Sequence, residues 1–138
     1  MTAATNSNIS DNTREYHGII INRSQRDRSV FSKLEIIGKR KSLFGLLTLY
    51  KIRIKPEKID ITIKLLQSNM ASRLFLKKQE FYFHFYRDNE LIVVFRDSIF
   101  KISPDKSTWN DAIAHGRSLK IADKQLDFTP NTFESETY

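Results

Sequence analysis

The chain has 138 residues, 40% of them hydrophobic and 12% aromatic, which suits one domain with its own core and argues against disorder throughout. It contains no cysteine, so disulfides, thiolate metal sites and cysteine nucleophiles are excluded. The formal net charge is +7 and the excess is concentrated: residues 23–58 carry eleven bases against three acids, whereas residues 59–138 carry eleven of each.

Residues 1–14 are small and polar and are expected to form a flexible tail. Residues 15–130 are expected to form a single domain, and residues 131–138 a second tail. The first dozen residues lack the apolar stretch of a signal peptide. No apolar run approaches the ~18 residues of a membrane-spanning helix. A soluble cytoplasmic protein without a membrane span is the expectation.

Residues 16–22 (YHGIIIN) read as a strand, because three successive isoleucines favour extended backbone. A polar connection follows at 23–29. A strand is expected at 30–37, and the GKRKS segment at 38–42 reads as a turn. Residues 46–54 alternate, with Tyr50, Ile52 and Ile54 on one face and Lys51 and Arg53 on the other. Short connections suggest that these three strands form a meander.

Pro56 and Glu57 suit the first turn of a helix. Ile59, Ile63, Leu66 and Met70 then make one apolar stripe, predicting a helix over 56–70. Residues 72–80 carry no clear periodicity. Residues 81–86 (FYFHFY) are strand-like, with Phe81, Phe83 and Phe85 on one face and Tyr82, His84 and Tyr86 on the other. A four-residue turn at 87–90, a return strand at 91–95, a turn at 96–98 and a short strand at 99–102 follow. Thr108 is the expected N-cap of a last helix ending near 119, with Trp109, Ala112, Ile113, Gly116 and Leu119 at helical spacing. Leu126 and Phe128 are expected to dock the end of the chain. The order of strands, helix, strands, helix predicts an α+β fold: an antiparallel sheet of five to six strands packed against two helices.

Over residues 56–130 the chain is similar to a small prokaryotic family of uncharacterised proteins. The likeness rests on His84 to Tyr86, Leu91 to Phe95, the TW..AI..G.SL pattern of Thr108 to Leu119, and the QLDF of Gln125 to Phe128. Lys120, Ile121 and Ala122 stand where the family has a Gly-Ile-Pro-like turn. The resemblance implies a fold and no catalytic residues.

No Walker loop, GxGxxG, GxSxG or SxxK motif occurs, and four glycines leave little material for a phosphate-cradling loop. No catalytic residue, cofactor or metal ligand set is assigned, and enzymatic activity is not expected. The charge layout favours a non-enzymatic binding or regulatory domain that contacts nucleic-acid phosphates, or an acidic protein, through Arg23, Arg26, Arg28, Lys39, Arg40, Lys41, Lys51 and Arg53. A merely soluble surface with a basic bias explains the same residues about as well. One alternative is an interaction or self-assembling module, a homo-oligomer formed through Leu43, Phe44, Leu46 and Leu47. Another is a small-molecule site or an enzyme using the Tyr82, His84 and Tyr86 face, although packing in a core is the simpler role for those side chains.

Overall fold

Steric stiffness at Ile19, Ile20 and Ile21 places that segment inside a sheet. A computed structural model of the protein describes residues 14–129. The strands are β1 (Tyr16–Ile21), β2 (Glu35–Ser42), β3 (Leu47–Ile54), β4 (Arg73–Leu74), β5 (Lys77–Lys78), β6 (Tyr82–Arg87), β7 (Glu90–Phe95) and β8 (Ser98–Ile102). Two α-helices, α1 (Ile59–Ser68) and α2 (Asn110–Ser118), interrupt and follow them. The fold is α+β. One antiparallel sheet has the order β2-β3-β1-β6-β7-β8, and β4 with β5 makes a separate small hairpin. Of the expected tails, residues 1–13 and 131–138 lie outside the described residues. Arg14 is described and pairs with Asp88.

The alternation read from the sequence divides the sheet faces. Phe83, Phe85, Ile92 and Val94 join Ile20, Ile52 and Ile54 on one face, and the Ile59, Ile63, Leu66 and Met70 stripe packs there. On the opposite face Tyr86, Leu91, Val93 and Phe95 meet Trp109, Ala112, Leu126 and Phe128. β6 and β7 are therefore covered on both sides, which explains why Leu91 to Phe95 are all buried.

Several boundaries differ from expectation. Residues 30–37 do not form one strand. Val30 and Phe31 are adjacent and both buried. Consecutive side chains of a strand would point to opposite faces. The 3-10 turn Arg28–Lys33 turns both inward, with the Asp27 carboxylate accepting from the Ser29 N–H at 3.0 Å. The strand starts at Glu35 and continues through the expected turn at 38–42, with a register shift between Ile36 and Gly38. The three early strands are not a meander either. β1 pairs with β3 and β6, leaving β2 at the sheet edge. The 87–90 turn shortens to Asp88 and Asn89. Thr108 belongs to a 3-10 turn before α2, and Trp109 precedes the helix. The close approach at Gly116 is to Leu126 of the closing segment, where an added Cβ would lie 3.0 Å from Cδ1 and closer still to Cδ2.

Candidate functional site

At one end of the sheet, the last residues of β1 and β2 meet the first of β3. A type I′-like turn closes the β2–β3 hairpin: Leu43 and Phe44 both have positive φ, and the Gly45 N–H donates to the Ser42 carbonyl at 3.1 Å. The β4–β5 hairpin turns on Phe75 and Leu76, with Phe75 at φ 56°. Such turns favour Asn and Gly, because most side chains are strained at positive φ. Both tips instead carry a bulky apolar pair.

Arg23 joins the two tips. Its Nε donates to the Leu46 carbonyl at 3.2 Å, and its guanidinium carbon lies 4.6 Å from the Phe75 ring centre. The backbone around it is fixed by the Ala71 N–H donating to the Ser24 carbonyl at 2.7 Å. Gln25 is almost wholly buried; its amide donates to the Leu66 carbonyl at 3.1 Å and its oxygen accepts from Asn69 at 3.0 Å. Two loops distant in sequence thus hold a defined relative position. Phe44 is 105% exposed and Leu76 94%, while Leu43, Leu46 and Phe75 are about half exposed. Leu47, expected beside them, is buried.

The eight basic residues do not share one face. Arg23, Arg26 and Arg28 lie on the connection after β1, and Arg26 donates to the Ser68 carbonyl at 3.0 Å. Lys39 stands opposite Tyr50 and Lys41 opposite Thr48. Phe31 of the 3-10 turn lies 4.6 Å from Tyr50, so that turn covers the same face. Arg40, Lys51 and Arg53 project from the reverse face, by strand alternation. Arg53 is neutralised by Glu35, whose carboxylate accepts from Nε at 2.9 Å, and by Glu15 at 3.4 Å. The Glu35 hydrogen bond holds the Arg53 guanidinium above its ordinary pKa.

Bases from a stretch that sequence reading left unassigned accompany the first group. Arg73, Lys77 and Lys78 flank the second tip and are exposed. Neither 36–56 nor 61–79 contains an acidic residue. The available signal was this pair of acid-free stretches, each with an aromatic–leucine pair beside lysines. Their convergence depends on tertiary contacts through Arg23 and Ser24.

Tyr82, His84 and Tyr86 lie on one strand face, as their alternation indicates, and Phe128 covers part of it. The Phe128 ring stands edge-on to Tyr82 at 5.4 Å and to His84 at 6.3 Å, and the Tyr82 hydroxyl donates to the Gln125 carbonyl. Burial first, and then the Asp127 charge, push the Tyr82 hydroxyl up to about 12. Tyr86 is buried, with the His17 ring tilted against it at 3.9 Å between centres. A separate open cleft of about 560 Å³ lies between residues 78–80 and 118–125, lined in part by Lys78, Glu80 and Lys120.

Among the described residues, no group of three His, Cys, Asp or Glu side chains is placed to hold a metal ion. No described helix is long and apolar enough to cross a membrane. In comparisons with known proteins, the chain matches no family model, no curated protein and no solved structure.

Proposed function

We propose that this chain is a non-enzymatic binding domain whose cationic end engages the phosphate groups of a polyanion. The observation that carries the reading is the meeting of two acid-free, lysine-bearing hairpin tips around Arg23. Arg23, Lys39, Lys41, Arg73, Lys77 and Lys78 supply the contacts, while Arg40 and Lys51 on the reverse face contribute long-range field only. Arg53, held by two glutamates, contributes little. Point-charge contacts of this kind give affinity without sequence preference. Nucleic acid is the first ligand to test, since charge alone favours it.

The test is fluorescence polarisation with labelled single- and double-stranded oligonucleotides between about 50 mM and about 300 mM salt, where counterion release makes affinity fall steeply. Binding that weakens with salt and with Lys41→Gln/Lys77→Gln/Lys78→Gln supports the reading. Failure to bind oligonucleotides and anionic vesicles alike at low salt overturns it.

A further inference from the structure

Phosphate contact leaves the apolar tips unexplained. Phe44 and Leu76 are more exposed than any other large apolar side chains described, and they occupy the two turns that lie on either side of Arg23. Single exposed apolar residues are ordinary, but a convergent set beside cations marks an interaction surface. Leu43, Phe44 and Phe75 also adopt positive φ, which side chains of their size rarely do. The turns would close more readily with Asn or Gly.

From this geometry we propose that the two hairpin tips dock the protein on an anionic lipid surface. The proposal rests on the cationic end engaging phosphates and assigns those phosphates to lipid headgroups. Phe44 and Leu76 enter the boundary between headgroups and acyl chains, with Leu43, Leu46 and Phe75 at its edge. Lys41, Arg73, Lys77 and Lys78, on the strands just behind the tips, reach the headgroups while their alkyl stems lie along apolar surface. Arg23 fixes the separation of the tips, so both insert together.

Other occupants fit less well. Nucleic acid could stack on Phe44, but the aliphatic Leu43, Leu46 and Leu76 offer no stacking face. A second copy meeting tip to tip would oppose two sets of lysines with no carboxylate in either tip to offset them. A globular protein partner would need a concave groove for two protruding turns. A fluid bilayer accepts convex apolar tips without one, and an anionic leaflet supplies the opposite charge.

The test is co-sedimentation of the full chain with vesicles of phosphatidylcholine alone and of phosphatidylcholine with about one-third phosphatidylserine, at low and high salt. Phe44→Ser/Leu76→Ser removes the inserted groups from two exposed turn positions and leaves all charge in place. Lys41→Gln/Lys77→Gln/Lys78→Gln does the reverse. The expected result is binding to anionic vesicles that either variant weakens on the order of tenfold or more, with oligonucleotide binding unchanged in Phe44→Ser/Leu76→Ser. Circular dichroism confirms that each variant is folded. Oligonucleotide binding without vesicle binding overturns the lipid assignment and leaves the phosphate reading standing; binding to neither overturns both. Vesicle binding indifferent to Phe44→Ser/Leu76→Ser, or tip-dependent dimerisation in sedimentation velocity without vesicle binding, also overturns it.

Discussion

The guanidinium of Arg23 lies 4.6 Å from the centre of the Phe75 ring, joining residues more than fifty positions apart in the chain. The same side chain donates to the Leu46 carbonyl at 3.2 Å. A cation over an aromatic face at a half-exposed site contributes about 0.5–1 kcal/mol. Arg23→Ala should therefore lower global stability by about 1 kcal/mol. Its larger effect should be local, with faster amide hydrogen exchange in 43–46 and 73–78. Unchanged exchange in both segments would show that Arg23 does not hold the tips.

The strained β2–β3 turn offers a test in the opposite direction. Leu43 and Phe44 occupy the two central positions of an I′-like turn at φ 50° and 56°. Leu43→Asn/Phe44→Gly supplies the residues that geometry favours. Thermal or urea unfolding should show a gain of about 1 kcal/mol, while binding weakens. A loss of stability would mean that the apolar pair stabilises the folded chain, and the reason given for its presence would fail.

Gly18 lies in β1 directly opposite Phe85 of the neighbouring antiparallel strand β6. A Cβ there would lie 2.5 Å from the His84 carbonyl oxygen and 2.8 Å from Phe85 Cδ1. One obstacle is backbone and the other a fully buried ring, so neither yields easily. Gly18→Ala should cost about 2–3 kcal/mol in chemical denaturation. Gly116→Ala meets only the end of the Leu126 side chain and should cost less. Equal costs would contradict this account of the contacts.

Alkaline pH should destabilise the fold. Burial first, and then its 2.8 Å hydrogen bond to Glu90, push the Tyr16 hydroxyl up to about 12, from an ordinary value of 10.0. A raised folded value means that the folded chain favours the protonated phenol. That stabilisation is complete below pH 10 and is lost as pH rises toward 12. Two units correspond to a loss on the order of 2 kcal/mol for this group. Urea midpoints should fall between about pH 10 and about pH 12, and fall less in Tyr16→Phe. Identical pH slopes in the two proteins would rule out Tyr16 as the cause.

Element types were legible wherever one face is plainly apolar. The Tyr50, Ile52, Ile54 alternation and the Ile59, Ile63, Leu66, Met70 stripe each name the face that the structure buries. Legibility failed where burial and periodicity separate. Lys39, Arg40 and Lys41 look like turn residues, yet they extend an edge strand whose charges oppose edge-to-edge pairing. Phe75 and Leu76 carried no strand or helix signal because they close a hairpin only two residues long on each side. The pairing of β1 with β6, which brings residue 17 to residue 86, is set by the two-sided core and leaves no local mark.

Hydrogen exchange of the full chain with and without phosphatidylserine-containing vesicles tests most directly whether the two tips act as one docking end. Protection should appear together at 43–46 and 73–78, with Tyr82 to Tyr86 unchanged. Protection at one tip alone, or centred on the β6 aromatics, would contradict the account.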